Sequence, residues 1–128
     1  MINTLELVKS FETEMGYFNA FCKNKSYLFF GCQEGILILD HSLNRVKSIT
    51  IKYNIKDLAL LSDQYLVIGI NVAEVHIFDT KELKKILTLD YFNKYGGLLS
   101  ITILNQNYSS SYLKNDIALC TFKGVRIL

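Results

Sequence analysis

The segment YLFFGCQEGILILD, residues 27 to 40, returns in altered form as YLVIGINVAEVHIFD, residues 65 to 79. Tyr27, Leu28 and Gly31 recur thirty-eight positions on, as Tyr65, Leu66 and Gly69. Asp40 recurs thirty-nine positions on as Asp79, so one residue has entered the turn between the two apolar runs. Both copies read as strand, short turn, strand: the runs are rich in β-branched, Leu and aromatic residues, too short for helices, and bounded by turn formers. A third copy, IALCTFKGVRIL at 117 to 128, overlays LFFGCQEGILIL at 28 to 39 without a gap, with Cys120 in the glycine position. A unit of this size buries its hydrophobic faces only by stacking on its neighbours.

The segments around each copy complete the unit. FNAFCKNKS, IKDLALLSDQ and GGLLSITILNQN each supply a strand in front, and LNRVKSITI and LKKILTLDY supply a strand behind the first two. Four antiparallel strands, a to d, therefore fill each period. LELVKSF at 5 to 11 overlays LNRVKSI at 43 to 49, with Leu5, Val8, Lys9 and Ser10 matched in identity. The chain thus opens on a d strand and closes on a c strand, in the order d-abcd-abcd-abc. The interval from Gly69 to Cys120 is longer than the period, and the excess is the polar loop NQNYSSSYLKN, 105 to 115.

This order and period resemble the β-propeller, and more narrowly a degenerate WD-repeat propeller, with Leu39-Asp40 and Phe78-Asp79 standing where that family's Trp-Asp pair ends strand c. The resemblance implies an all-β, single but partial propeller domain over residues 1–128, with three blades per chain. The near-continuous apolar runs Ile36–Leu39 and Leu66–Ile68 suit inner strands covered on both faces. RVKSITIK has the mixed character of a half-exposed outer strand. A twelve-strand β-sandwich is the other fold such a pattern allows.

Propellers begin at four blades, so three imply completion from outside. The opening strand (Leu5, Val8, Phe11) and the closing strand (Val125, Ile127) form complementary assembly edges. A head-to-tail contact that closes gives a homodimer of six blades by strand exchange; three copies would give nine. Another protein supplying the missing blades is the alternative partner.

Half of the residues are apolar and a fifth are charged, a globular composition. The net charge of +2 comes from 14 basic and 12 acidic residues, too even a balance to draw the chain to nucleic acid or to anionic membrane. No run approaches the ~20 apolar residues of a membrane span. The opening residues lack the pattern of a secretory signal, and a cytoplasmic location is expected. Cys22, Cys32 and Cys120 sit in apolar segments and read as buried thiols of a reducing compartment.

Reaction chemistry leaves little trace. His41 and His76 are the only histidines, and neither accompanies a nucleophile motif. His76 occupies the place held by Leu37 and Arg126 in the other units, so it reads as structural. No CxxC, HExxH or calcium loop is present, and Gly96-Gly97 lacks the context of a phosphate loop. Asp40 and Asp79 read as turn-stabilising acceptors. No catalytic residue, metal site or cofactor is expected. The expected role is a protein–protein interaction scaffold or structural subunit, with a propeller that binds a small ligand or carbohydrate as the alternative. The loops carrying Tyr53, Tyr91, Asn93, Tyr95, Tyr108 and Tyr112 are the candidate contact surfaces.

Overall fold

The computed structural model describes residues 5–7, 9–12, 14–70, 74–89, 98–104, 117–121 and 123–128. Burial separates inner strands from outer ones as their composition demands. β3 (Gly35–Asp40), GILILD, is buried along nearly all its length, as is β6 (Tyr65–Ile70), YLVIGI. β4 (Arg45–Thr50) and β8 (Lys84–Leu89), rich in Lys, Arg, Ser and Thr, are largely exposed. A strand buried on both faces has no polar side to alternate with.

These strands build three antiparallel sheets. β1 (Phe18–Lys23), β2 (Tyr27–Cys32), β3 and β4 form blade one in sequence order. β5 (Ile55–Leu60), β6, β7 (Glu74–Asp79) and β8 form blade two in the same order. Blade three comprises β9 (Leu98–Ile103), β10 (Ile117–Thr121) and β11 (Gly124–Ile127), with β11 bordering the sheet. The first strands gather together, β1 against β5 and β5 against β9. All three carry the same irregularity: the register against the second strand slips by one residue at Asn19, at Lys56 and at Leu99. The outer strands repeat another slip, at Val46 in β4 and at Ile86 in β8. A bulge recurring at one place in each blade is part of the repeat, and it raises the local twist.

The blades stack face to face. The face that each blade turns to its successor is here called trailing, and the opposite face leading. On blade one the trailing side chains Phe29, Ile36 and Ile38 meet Leu58, Ile68 and Phe78 on the leading face of blade two. On blade two, Val67, Val75 and Ile77 meet Ile101, Ile117 and Leu119 of blade three. Polar hooks tie the first strands: Asn19 Nδ2 donates to the Ile55 carbonyl at 3.0 Å, and the Ile101 N–H donates to Asp57 Oδ2 at 2.7 Å. The turns join too, Asn24 Nδ2 donating to the Asp63 carbonyl at 2.9 Å. Gly31 is required by this stacking, because a Cβ there would lie 2.8 Å from Ile55 Cγ2.

One expected element differs. The described residues of the opening segment, 5–7 and 9–12, form no strand, so the described residues hold eleven strands where twelve were expected. The ladder that this segment was expected to join is β11 of another blade set, and its own neighbour in the chain is blade one.

Truncating the Phe29 ring, fully enclosed between the first two blades, is expected to cost about 3–5 kcal/mol as Phe29→Ala. The exposed Lys84→Ala should shift stability by about 0.5 kcal/mol or less. Urea unfolding of both variants, followed by far-UV circular dichroism, checks the contrast.

Candidate functional site

The polar groups that recur in blades one and two serve the turns after their third strands. Asp40 Oδ1 accepts the backbone N–H groups of Ser42 and Asn44, both at 2.9 Å. Asp79 Oδ1 accepts those of Lys81 at 2.8 Å and Glu82 at 3.0 Å. These bonds favour the ionised form. The Asn44 N–H does most to hold the Asp40 carboxyl below its ordinary value, and the Glu82 N–H does the same for Asp79. Each turn then passes through a leucine in the left-handed region, Leu43 at φ 67° and Leu83 at φ 54°. The carbonyls of these two leucines both receive a lysine. Lys47 Nζ, on blade one's outer strand, donates to the Leu83 carbonyl of blade two at 3.1 Å. Lys9 Nζ donates to the Leu43 carbonyl of blade one at 3.0 Å.

That second bond locates the opening segment. Lys9 is the counterpart of Lys47 in the repeat. Phe11 is the counterpart of Ile49, and its ring packs on the leading face of blade one with Cys32, Leu37 and Leu39. Ile49 packs in the same way between blades one and two. Lys9 Nζ stands 5.1 Å from the Phe11 ring centroid, the Arg45 guanidinium 5.9 Å, and Arg45 also donates to the Glu12 carbonyl. The segment, an arm hereafter, therefore rests against blade one as β4 rests against blade two. A cleft of about 240 Å³ lies beneath it, lined by Phe11, Phe18, Phe30, Leu37 and Leu39.

The corresponding groove between blades one and two, about 300 Å³, is lined by Ile49, Tyr53, Glu74, His76, Phe78 and Lys85 among others. His76 is buried there, its Nε2 3.8 Å from Glu74 Oε1. Burial first, and Lys85 second, push its pKa below the ordinary histidine value, while Glu74 pulls the other way. His41 is exposed, its Nε2 2.9 Å from the Asn24 carbonyl oxygen. Burial drives the Cys22 thiol up to about 12, with Asp57 adding to the shift, and also raises Cys32. The described cysteines are free thiols. Among the described residues, no group of three or more His, Cys, Asp or Glu side chains could hold a metal ion. No helix among them is long and apolar enough to cross a membrane.

The assembly-edge residues fall on the two outward faces of the stack. Leu5 is exposed on the arm and Phe11 is packed. Val125 and Ile127 lie on β11, 57% and 50% exposed. Val8 lies outside the described residues, as do Tyr91, Asn93, Tyr95, Tyr108 and Tyr112. Tyr53 borders the groove between blades one and two, with Lys52 Nζ 5.2 Å from its ring centroid. Sequence reasoning missed the aromatic group on blade one's leading face. There the Phe18 and Phe21 rings lie 5.6 and 5.0 Å from that of Phe30. The signal was present: Phe30 aligns with Ile68, so a ring replaces an aliphatic side chain on one face.

No family model matches the sequence, and no curated protein matches it significantly. Solved structures do share the fold. The β-propeller domain of Cps50 (Swd1) from Myceliophteria thermophila matches 91% of this chain at TM-score 0.68 and 14% identity. A complex of KlAtg21 with the coiled-coil of AgAtg16 matches 96% at TM-score 0.53 and 15% identity. The chain spans 35% of the first structure and 45% of the second. The architecture is that of a β-propeller, present in part.

His76, Asp40 and Asp79 all have folded-state pKa values below their ordinary ones. The unfolded chain therefore binds more protons, and stability rises with pH across each window. Stability should fall as pH drops below about 6.5, through His76, and again below about 4, through the aspartates. His76→Leu, which installs the residue that blade one carries at Leu37, should remove the upper step and leave the lower. Urea midpoints at about pH 7.5, 5.5 and 3.5 read both steps.

Proposed function

We propose that this chain is a non-catalytic interaction platform and structural subunit, whose three blades join those of a second copy into a closed six-bladed propeller. One observation carries the reading: the arm holds the place of an outer strand whose inner strands are not among the described residues at that position. Lys9 and Phe11 make to blade one the contacts that Lys47 and Ile49 make to blade two. A surface so prepared suits the arrival of a further sheet. The β9–β11 sheet has three described strands where its neighbours have four, and so has room for an outer strand. The likeness to solved propellers of which this chain covers less than half supports completion by further blades. Fold alone does not assign a function. The support for contact over catalysis is that the recurring polar groups of the described turns are spent on backbone hydrogen bonds. In the second solved structure a propeller protein is held in complex with a coiled-coil, which makes a protein the natural class of external partner for the finished ring.

Light scattering across a dilution series tests this reading. A stable mass near twice 14.7 kDa is expected, and deletion of residues 1 to 11 should lower it to that of a single chain. A folded monomer at all concentrations would overturn the ring. Aggregation of the isolated chain, relieved by co-expression with another protein, would transfer the missing blades to that protein and overturn self-association.

A further inference from the structure

We infer that the groove between blades one and two binds a carboxylate attached to an apolar group, with Lys85 and His76 donating to the carboxylate and Ile49, Ile68 and Phe78 seating the apolar body. The groove lies within one chain, so this inference stands apart from the six-bladed reading.

The repeat shows what packing alone puts at this place. Side chains alternate along a strand, so Glu74, His76 and Phe78 of β7 share the leading face of blade two. Blade one has Gly35, Leu37 and Leu39 in those positions. There Phe11 covers Leu37 and Leu39. Arg45, which stands in blade one where Lys85 stands in blade two, donates to the Glu12 carbonyl. The same ladder in blade two therefore carries a carboxylate, an imidazole and an ammonium at one place. Leu37 fills the His76 position in blade one without any of them, so stacking does not require the polar set.

β4 ends at Thr50 and the chain bends through Lys52 and Tyr53, beside a groove of about 300 Å³. Its floor is apolar, because Ile49, Ile68 and Phe78 belong to the core between the two blades. Lys52, Tyr53 and Lys85 line it together with Glu74 and His76. Mostly apolar walls with a few converging polar groups are the usual form of a small-molecule site. His76 is the sharpest sign. It keeps 8% of its exposure, and among the described residues its polar contact is Glu74 Oε1 at 3.8 Å, beyond hydrogen-bond length. Buried polar groups are nearly always hydrogen-bonded, and a ligand oxygen in the groove gives the imidazole N–H an acceptor.

Charge selects the sign of the ligand. The groups around His76 are Glu74 on its own strand, Lys85 from β8, and Lys52 and Tyr53 from the segment after β4. The two lysines outweigh Glu74 while His76 is neutral, and more so once it is protonated. Lys52 Nζ lies 5.2 Å from the Tyr53 ring centroid, which steadies one of the cations. Lys85 stands near enough to His76 to disfavour its protonation, and an anion bound beside both relieves that repulsion. A monoanion with an apolar body matches the charge and the floor together, whereas a compact dianion meets Glu74 and leaves the floor uncovered.

The two histidines make the test direct. His41 is exposed and bonded to the Asn24 carbonyl, outside this groove. Its ring signal in a proton NMR spectrum is an internal control, and His76→Leu identifies the other. Phenylacetate titrated into the protein should move the His76 signal saturably and leave that of His41 in place. Bound anion should raise the His76 midpoint, and by linkage binding should tighten about twofold or more from about pH 7.5 to about pH 6. Phenylacetamide and acetate each lack one half of the ligand and should bind at least about tenfold more weakly. Lys85→Ala, at an exposed position of β8, should weaken phenylacetate about fivefold with the His41 signal unchanged. A short peptide ending in phenylalanine separates the sources of such a group. Tighter binding than phenylacetate, lost on amidation of its C-terminus, makes a chain terminus the ligand, and weaker binding makes it a small acid. A His76 signal unmoved by phenylacetate and by the free-ended peptide would overturn the site, as would equal binding of acid and amide or full affinity in Lys85→Ala. None of these outcomes bears on the native mass, so the six-bladed reading stands or falls separately.

Discussion

The structure depends on covering both faces of every sheet. A hydrophobic strand such as β3 or β6 has no polar side, so each sheet needs a neighbour on its left and another on its right. Blade two has both, and its core residues are sealed. On blade one's second face the arm and its neighbours seal Cys32, Leu37 and Leu39, while Phe18 and Phe21 stay largely exposed. Burial of large apolar side chains contributes about 1.5–3 kcal/mol apiece, far more than any surface hydrogen bond described above. The stacking direction therefore sets the order of stability, with blade two as its centre.

Polar groups act as spacers and hooks within that apolar frame. The left-handed leucines after Asp40 and Asp79 adopt a conformation that ordinarily costs a non-glycine residue about 1–2 kcal/mol. The aspartate oxygens offset this by gathering the turn's N–H groups, and the turned carbonyl is left facing the preceding outer strand. A lysine from that strand takes it. The same small device, an aspartate turn, a leucine carbonyl and a lysine, spaces the outer strand of one blade from the next. It appears once between blades one and two and once between the arm and blade one.

Much of this was legible in the sequence because the repeat is written in residues with narrow structural duties. Gly31 marks close approach, Asp40 and Asp79 mark turns, and the apolar runs between them mark inner strands. The outer strands could be read from Lys and Ser among Val and Ile. The arm was harder. Its identity with residues 43–49 at Leu5, Val8, Lys9 and Ser10 declared what it resembles, but a ladder needs a partner strand, and packing against a face does not. The leucine carbonyls were not legible at all, since leucine is not a residue whose presence announces a positive φ. His76 shows the same limit: it aligns with Leu37, and only the packing shows that Lys85 and Glu74 share its groove.

The resting place of Phe11 has a consequence for the chain on its own. Newly made chains with a bare aromatic sheet face would adhere indiscriminately to one another, and edge strands add to that hazard. Here the ring lies over Leu37 and Leu39 and is pinned by two cations, so the chain carries a provisional cover for its own most adhesive surface. The cover is thin and leaves Phe18 and Phe21 outside it. What the arm spares the chain is the adhesion that a wholly bare apolar sheet face invites.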